Sequence, residues 1–431
     1  MPTRPTEERL LIYSQDGLGL GHLRRTTLLA SAFLAARPNA SVLTISDSPI
    51  GQFFAATPGH DYLKLPSIRK AGPGNWSPVS LSSPFSDVLA MRRETIRATA
   101  LSFEPDVLLV DHMPHGAMGE MVPTLEALEP FPVRTVLGLR DILDAPATVR
   151  QRWQLEGALE AVERHFHDVL VYGSRDVFDV ATQYGWPTRL SRRLTYCGYV
   201  CSPPSTSPIA PVRRRYLRDA RDAELVVAMA GGGADAYTLF DTLVRAVPAL
   251  VSNRRVVVAL VTGPFLPAAQ RAELQRRVRG LPIRVISAVS DPLTHLRAAD
   301  LVVAMAGYNT TAEALSLADR ALLVPRAGPS AEQQMRASRF AERGWVRRLP
   351  PEQLSPEALA SAMVEALDSP VTPMSTAPDL AGRQRAAGHL LAETDGAPDE
   401  IGDHALGPAA DAVPLAVDEP VDASKQLISE R

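Results

Sequence analysis

The sequence is poor in lysine and cysteine, and each shortage excludes a class of protein. Only three of its 45 basic residues are lysines, and 48 acidic residues balance them, giving a net charge of −3. No basic surplus therefore favours nucleic acid as a partner. Cys197 and Cys201 are its two cysteines and have no accompanying His/Cys cluster, which disfavours a disulfide framework and a zinc site and favours a reducing compartment.

The chain also lacks a long hydrophobic run. No segment reaches the roughly 18 apolar residues that a transmembrane helix needs, so the sequence predicts none. The segment 1–9 is polar and charged and has no apolar centre of the kind found in signal peptides. We therefore expect a cytoplasmic protein, and we leave open a peripheral contact with the inner membrane surface.

Short β-branched or leucine-rich segments alternate with longer amphipathic segments. This alternation is typical of parallel sheets covered on both faces, so we predict an α/β fold with doubly wound, Rossmann-like domains. The predicted strands are Leu10–Tyr13, Val42–Ile45, Val107–Val110, Thr135–Leu137, Val169–Tyr172 and Thr195–Gly198, then Leu225–Met229, Val256–Val261, Ile283–Ile286, Leu301–Met305 and Ala321–Pro325.

The Pro- and Ser-rich segment Val200–Arg215 interrupts this alternation, and its composition predicts neither helix nor central strand. We interpret it as a linker between two α/β domains with a ligand-binding cleft between them. From Glu393 onward, ten acidic residues outnumber two basic ones, which predicts a disordered tail. The predicted organisation is a first domain at 1–200, a linker at 201–215, a second domain at 216–368, a segment at 369–392 that returns to the first domain, and a tail at 393–431.

Two glycine-rich turns each follow a predicted strand and precede a helical pattern. Glycines let the backbone turn sharply and approach a ligand, and a following helix start suits phosphate. The first turn, GLGLGH at 17–22, has neither the GxGxxG spacing of dinucleotide sites nor the end of a P-loop, so ATP hydrolysis is disfavoured. A tight turn without ligand is the alternative for the first. The glycines that we expect to approach a ligand are Gly19, Gly21, Gly231, Gly232 and Gly233.

The segment GYNTTAEAL begins at Gly307, directly after a predicted buried strand. Asn309 or Thr310 can cap the next helix, which places Glu313 in its first turn. A capping box between Thr310 and Glu313 would by itself explain the glutamate. A ligand-binding carboxylate is the other interpretation.

Hydrogen-bonding side chains also follow the next predicted strand. They belong to the proline-bounded segment that starts at Pro325, and they lie at the carboxyl edge where open α/β sheets bind ligands. A sugar, rich in hydroxyl groups, is recognised by such a mixture of amide and carboxylate groups. The residues are Arg326, Glu332, Gln333 and Gln334.

Together these loops resemble the GT-B glycosyltransferases, especially the lipid-linked peptidoglycan N-acetylglucosaminyltransferases with their family 28 C-terminal domain and a group of predicted bacterial glycosyltransferases. The similarity extends over about Leu10–Ala366 and is most specific in Val285–Ala337. It implies two Rossmann-like domains that transfer a hexose or N-acetylhexosamine from a nucleotide sugar, with UDP expected as the nucleotide. We expect inversion at the sugar and no metal or other cofactor.

The resemblance also implies roles for individual residues. Glu313 would bind the ribose hydroxyls, and Gln333 and Gln334 the donor sugar. The glycine turn at 231–233 would meet the diphosphate, and the backbone of Ser287–Val289 would hold the base, with Val289 at its end. The acceptor loops between Ile50 and Pro105 match poorly, so a small molecule, a glycan and a lipid-linked acceptor all stay open.

Glycosyl transfer needs a base for the acceptor hydroxyl and a group that stabilises the departing diphosphate. The candidates are His22, which ends the first glycine turn, and Asp111 and His112, which follow a predicted strand. We expect Asp111 to be the base and His22 to lie near the phosphates, with the reverse assignment and a purely capping Asp111 as alternatives. Arg24 and Arg25 are expected on the solvated surface.

Two further features have structural interpretations, and for the second of them a ligand contact stays open as well. Arg140 and Asp141 follow the next predicted strand and are expected to pair with each other. Tyr308 can stack on a base or sugar, or line the core.

Three other functions stay open. A sugar-nucleotide epimerase uses the same double-domain fold. A dinucleotide oxidoreductase would use the first glycine turn with Asp47 on a ribose, although the glycine spacing disfavours it. A binding protein without turnover is the third.

Overall fold

The computed structural model describes residues 7–15, 21–49, 57–72, 75–218, 220–252, 254–370 and 378–391. Gly19 and the predicted tail at 393–431 lie outside the described residues. The described residues all belong to one compact unit that ends at Leu391.

The described strands form two parallel sheets and one antiparallel hairpin. The strands are β1 (Arg9–Ser14), β2 (Ser41–Ser46), β3 (His60–Lys64), β4 (Ile68–Gly72), β5 (Asn75–Pro78), β6 (Val107–Asp111), β7 (Arg134–Arg140), β8 (Asp168–Tyr172), β9 (Leu194–Tyr196), β10 (Glu224–Met229), β11 (Val256–Val261), β12 (Ile283–Ile286), β13 (Leu301–Ala304), β14 (Ala321–Leu323) and β15 (Arg347–Arg348). The first sheet has the order β3-β2-β1-β6-β7-β8-β9, the second has the order β12-β11-β10-β13-β14-β15, and β4 pairs with β5.

Helices connect these strands and cover the sheets. They are α1 (Gly21–Ala36), α2 (Phe85–Phe103), α3 (Val122–Leu128), α4 (Pro146–Glu156), α5 (Ala158–His165), α6 (Val180–Tyr184), α7 (Thr188–Ser191), α8 (Ala210–Leu217), α9 (Tyr237–Val251), α10 (Ala268–Arg277), α11 (Pro292–Ala298), α12 (Tyr308–Leu317), α13 (Glu332–Glu342), α14 (Pro356–Asp368) and α15 (Gly382–Leu391). Single 3₁₀ turns occur at Ala117–Gly119 and Pro351–Gln353. In the described part of the chain, no helix combines the length and apolar character that crossing a bilayer requires.

The central strands are apolar because both faces of each sheet are covered. Every residue of β6 and of β11 is buried, as is all of β1 except its first residue. Burial of such side chains contributes about 25 cal/mol for each Å² of apolar surface removed from water. The predicted α/β fold with two parallel sheets is confirmed.

The expectation that the Pro-rich segment holds no helix was wrong, and the sequence prediction missed two edge strands and a separate hairpin. Helix α8 begins at Ala210, near the end of this segment, and is compatible with Pro211 because the proline occupies the first turn, where a missing N–H costs no hydrogen bond. Strand β3 and the β4–β5 hairpin lack an apolar run, and β15 has two residues. Short strands at the edge of a sheet or in a separate hairpin need little burial, so the hydrophobicity of the sequence does not reveal them.

Each sheet reverses its strand order at its centre, between β1 and β6 in the first sheet and between β10 and β13 in the second. Ligands of open α/β sheets bind at the carboxyl ends of the strands at such a reversal. In the first sheet the reversal brings α1 beside the end of β6. In the second it brings the glycine turn after β10 beside the start of α12.

The last described segment lies against the first sheet. Helix α15 packs on α1, and Nη1 of Arg134 donates a hydrogen bond to the carbonyl of His389 at 2.6 Å. Just before α15, the carbonyl of Asp379 accepts a hydrogen bond from the amide of Tyr199 at 2.7 Å. The last described segment, 378–391, therefore lies on the first sheet, although α14 before it belongs to the second.

Candidate functional site

A histidine–aspartate pair, with the aspartate buried and the histidine partly exposed, lies at the reversal point of the first sheet. His22 is the second residue of α1 and Asp111 is the last residue of β6, and Nδ1 of His22 is 2.6 Å from Oδ2 of Asp111. Arg25, one helical turn after His22, donates from Nη2 to both carboxylate oxygens at 3.0 and 2.7 Å. The reversal of strand order thus joins two groups that are 89 positions apart in the sequence.

The environment of Asp111 keeps it ionised. Burial raises the pKa of this carboxyl, but the charge of Arg25 and the hydrogen bond and charge of His22 outweigh burial, so the pKa lies below its ordinary value. Arg25 is itself buried, and its guanidinium lies between the rings of Tyr172 and Tyr308 at 5.2 and 5.3 Å. The expectation that Arg25 is solvated is wrong, because Asp111, Tyr172 and Tyr308 surround its guanidinium.

His112 follows Asp111 in a strained backbone conformation. Its φ is 78°, in the left-handed region, which costs about 1–3 kcal/mol for a residue other than glycine. Its ring lies 4.9 Å from the ring of His22, and its Nδ1 is buried without a hydrogen-bond partner among the described residues. Burial, with the nearby charges of Arg140, His22 and Arg25, holds the pKa of His112 well below its ordinary value.

The glycine turn at 231–233 is packed against the loop that follows β11. A Cβ on Gly233 would lie 1.9 Å from the carbonyl oxygen of Thr262, and φ there is 86°. A Cβ on Gly232 would lie 2.8 Å from the ring of Phe265. These two glycines are therefore required by packing, whereas Gly231 lies beside the start of α12, where its Cβ would be 3.6 Å from Oγ1 of Thr310.

Helix α12 begins one residue after Gly307, which is its N-cap. No side chain of the described residues caps this helix, so the predicted capping roles of Asn309 and Thr310, and the capping box with Glu313, are wrong. Asn309 instead donates from Nδ2 to the carbonyl of Gly21 at 2.9 Å. This bond joins the start of the second domain's helix to the residue before His22.

The buried side chain of Glu313 interacts with two residues outside α12. Oε1 of Glu313 lies 2.6 Å from Nη2 of Arg24 and accepts a hydrogen bond from Oγ of Ser202 at 3.0 Å. Burial raises the pKa of Glu313 above its ordinary value, although the charge of Arg24 and the Ser202 hydrogen bond oppose the rise. Arg24, expected to be solvated, therefore joins α1 to α12.

The predicted sugar-binding residues lie at the start of α13 and contact their own loop. The amide of Arg326 donates to Oε1 of Gln333 at 3.2 Å, and Nε2 of Gln334 donates to the carbonyl of Ala327 at 3.1 Å. The Arg326 guanidinium lies 2.7 Å from Asp235, which follows the glycine turn. The structure therefore brings the loops after β10 and β14 together.

Ion pairs connect the two sheets beside this loop. Arg336 forms a buried two-point pair with Asp141, at 2.6 and 2.8 Å, and Arg140 lies 2.8 Å from Glu332. Burial raises the pKa of Glu332, but the charges of Arg140, Arg336 and Arg326 outweigh burial and lower it. The expectation that Arg140 and Asp141 pair with each other is wrong, because each pairs with a residue of α13.

Two further residues singled out from the sequence, Val289 and Tyr308, pack against the core. Val289 follows the edge strand β12 and is partly buried against the core. Tyr308 lines the core: its hydroxyl accepts a hydrogen bond from the amide of Val200 at 2.8 Å, and its ring lies 6.0 Å from that of Tyr199.

The sequence did not single out Arg140, Arg336 or Ser202 as parts of this site. The signal that could have found Arg140 and Arg336 is an excess of charged residues at the carboxyl ends of strands and at the starts of the helices that follow.

The second domain matches a glycosyltransferase family. Residues 226–390 match the model of the glycosyltransferase family 28 C-terminal domain, which includes α12, α13 and their loops. The resemblance predicted from the sequence is thereby confirmed.

Two curated relatives cover about half of this chain. One is an uncharacterized glycosyltransferase of Methanopyrus kandleri, 27% identical over 223 residues, covering 49% of this chain and 55% of the relative. The other is the UDP-N-acetylglucosamine–N-acetylmuramyl-(pentapeptide) pyrophosphoryl-undecaprenol N-acetylglucosamine transferase of Aromatoleum aromaticum, 28% identical over 207 residues, covering 47% and 56%. The chain therefore spans little more than half the length of the relatives that it matches.

Solved structures resemble almost the whole chain at low identity. MurG of Acinetobacter baumannii has a TM-score of 0.53 at 14% identity, covering 89% of this chain and 95% of that one. A structure assigned as a UDP-N-acetylglucosamine 2-epimerase of Listeria monocytogenes has a TM-score of 0.59 at 13% identity, covering 91% and 96%. At these identities the likeness shows the fold alone, and it confirms the predicted GT-B architecture.

Proposed function

We propose that this protein is a glycosyltransferase that moves a hexose or N-acetylhexosamine from a nucleotide sugar to an acceptor hydroxyl. The finer parts of this proposal are UDP as the nucleotide, inversion at the sugar, no requirement for a divalent metal, and a cytoplasmic location with membrane contact left open. The family match at 226–390 supports the donor side.

One observation carries the proposal for the whole chain. The His22–Asp111 pair belongs to the first domain, and the hydrogen bond from Asn309 to the carbonyl of Gly21 joins it to the helix that begins the family's donor segment. An acid–base group therefore lies directly beside the helix start that is suited to phosphate. Transfer of a sugar to a hydroxyl needs these two features side by side.

In the proposed reaction, His22 acts as the base. The acceptor oxygen attacks the anomeric carbon while the bond from that carbon to the diphosphate oxygen breaks. The acceptor proton passes to the ring nitrogen that Asp111 does not hold. Asp111 fixes the tautomer and orientation of the ring and stabilises the imidazolium, the role that a buried carboxylate has in a catalytic triad.

This assignment revises the expectation that Asp111 is the base. Asp111 is 1% exposed and accepts hydrogen bonds from Arg25, so its oxygens cannot reach an acceptor hydroxyl without breaking an ion pair. His22 keeps a side chain that is 20% exposed. Because a base needs access to the proton that it removes, His22 fits the role and Asp111 fits a positioning role.

The departing diphosphate carries negative charge, which the second domain can stabilise. Gly307 leaves open space at the start of α12, since a Cβ there would meet no atom of the described residues within 4 Å. The amides of this helix start and the guanidinium of Arg326 supply positive charge without a metal. Glu313, Gln333 and Gln334 would contact ribose and sugar after exchanging their present protein partners.

The experiment uses the full chain with a panel of nucleotides and nucleotide sugars. A specific ligand at 100 times its Kd stabilises the folded state by about 2.7 kcal/mol, so UDP should raise the Tm more than dTDP or GDP. Release of UDP from a UDP-sugar should then depend on an acceptor and on His22. Failure of every nucleotide to raise the Tm would contradict the donor assignment, and an isomerised nucleotide sugar without acceptor would indicate an epimerase.

A further inference from the structure

The first domain contains a cavity beside His22 and His112, and the proposed donor binding does not use this cavity. Its volume is about 420 Å³, within the range of pockets that bind small organic molecules. It is bordered by the β4–β5 hairpin, by the segment after β6 that starts with His112, and by α4. His112 connects it to the reaction centre, because its ring lines the cavity and lies 4.9 Å from the ring of His22.

Two indole rings border this cavity, and packing holds each of them in place. Trp76 of β5 packs against a small apolar cluster that contains Ile68 and Val88. Trp153 of α4 is 5% exposed, and its ring lies 5.5 Å from that of Trp186. Rigid aromatic walls favour a flat, apolar ligand, because stacked or edge-on rings contribute beyond the area that they bury.

Two cations from different elements line the cavity. Lys70 comes from the hairpin and Arg152 from α4, and neither makes an ion pair with any residue that the structure describes. Glu156 is the one acidic residue among the described lining residues, so the cavity has a surplus of positive charge. Charge-assisted contacts to two unpaired cations favour a ligand with an anionic group.

We propose that this cavity binds the acceptor and that the acceptor is a small, flat, largely apolar hydroxy acid. The inference rests on the proposed function and names its second substrate class. A glycan fits poorly, since sugars are recognised through many polar side chains and the described lining contains neither Asn nor Gln. A lipid-linked phosphate is the competing occupant, and displacement of a bound probe by lipid vesicles distinguishes the two.

His112 is the group that positions the acceptor hydroxyl. Its Nδ1 is buried without a partner, and no described residue hydrogen-bonds the ring, so the edge available to a ligand is the one that carries Nε2. A neutral imidazole with its proton on Nε2 donates to the hydroxyl oxygen. The hydroxyl proton then points to His22, on the neighbouring ring.

The test measures binding to the full chain without any donor, so that its result is independent of turnover. Hydroxynaphthoic acid is the probe, and tryptophan fluorescence quenching reports its binding. Hydroxynaphthamide removes the charge of the probe and naphthoic acid removes its hydroxyl. We expect each of these compounds to bind about tenfold more weakly than the probe, as loss of one charged or hydrogen-bonded contact implies.

Variants assign these preferences to residues. Lys70→Gln and Arg152→Gln should each weaken the acid about tenfold and leave the amide unchanged. The control Arg97→Gln removes an exposed arginine of α2 that does not line the cavity, and it should change neither. His112→Asn keeps a residue that tolerates the left-handed backbone, and it should abolish the preference for the hydroxylated probe.

Three results would overturn the proposal. The first is equal binding of acid and amide, or no binding of either. The second is an unchanged hydroxyl preference in His112→Asn. The third is displacement of the probe by vesicles that contain undecaprenyl phosphate but not by vesicles without it, which would assign the cavity to a lipid-linked acceptor. A UDP-induced rise in Tm that persists in all three cases would show that only this inference, and not the glycosyltransferase proposal, has failed.

Discussion

The two halves of the site differ in how far their chemistry is already assembled. In the first domain, Asp111 of β6 already forms hydrogen bonds with His22 and Arg25 of the adjoining helix α1. In the second domain, Glu313 and Gln333 bind protein groups that a donor would have to replace. We infer that changes in the first half alter the rate, whereas changes in the second half alter donor affinity.

The replaceable contacts of the second half also join the two domains. Arg24 forms an ion pair with Glu313, and Asn309 donates a hydrogen bond to the carbonyl of Gly21. Both contacts connect α1 to α12, where the proposed donor would bind. Neither Asp141 nor Arg336 has a predicted donor role, so their buried ion pair can stay intact when a donor binds. Donor binding then exchanges some contacts between the domains and keeps others.

The largest effect that this comparison predicts is on turnover. His22→Ala should lower the single-turnover rate at saturating donor by about 10²–10⁴-fold, because the acceptor loses its base. The affinity for UDP, measured by calorimetry, should stay unchanged. His167→Ala is the control, since His167 is exposed and lies at the opposite, amino edge of the first sheet. A wild-type rate in His22→Ala would move the chemistry to another group.

The second prediction concerns the buried anion. Asp111→Asn should reduce the free energy of unfolding by about 3 kcal/mol, because Arg25 keeps its charge and loses its ionised partner. The pKa of Asp111 is depressed in the folded protein, so its stabilising contribution is present above the ordinary carboxyl value, about 3.9, and is lost as the pH falls through the lower folded value.

Denaturant unfolding between pH 7 and pH 2.5 checks this sign. The wild type should lose stability toward acid more steeply than Asp111→Asn, and the two curves should converge at the lowest pH. Parallel curves would contradict the depressed pKa. A turnover loss without any stability loss would contradict the role of Asp111 as partner of Arg25.

Sequence patterns predicted the parts of this molecule that depend on one segment alone. Apolar strands such as β11 and the glycine turns were visible, and His22, Asp111 and Glu313 were singled out by their places after strands. Their partners were not predicted, because Arg25 and Arg24 have the same local sequence signal as solvated helix residues. Only the arrangement of both sheets decides that one is buried against Asp111 and the other bound to Glu313.

The donor half should respond through affinity. Glu313→Gln should weaken UDP binding by about 1.5–3 kcal/mol, the usual effect of losing a charged hydrogen-bond acceptor. Arg24→Gln should have the opposite effect, since it removes the present partner of Glu313 and leaves the carboxylate for the ribose. Calorimetric titration with UDP measures both, and thermal unfolding of each variant controls for loss of fold. Weaker UDP binding in Arg24→Gln would show that Arg24 contacts the nucleotide itself.

The smallest effect on stability is expected at Gly307, where the comparison is between two glycines of the same half. Its φ is −66° and an added Cβ would meet no atom within 4 Å in the part of the chain that the structure describes, so Gly307→Ala should change the free energy of unfolding by less than about 1 kcal/mol. Gly233→Ala should reduce it by about 2–4 kcal/mol, because φ is 86° and the Cβ would lie 1.9 Å from a carbonyl oxygen. UDP binding separates the two further: if the diphosphate approaches the start of α12, the methyl group of Gly307→Ala occupies that space and weakens UDP while the fold stays intact. Unchanged UDP affinity in a fully stable Gly307→Ala would place the diphosphate elsewhere and leave the open space at this helix start without a function.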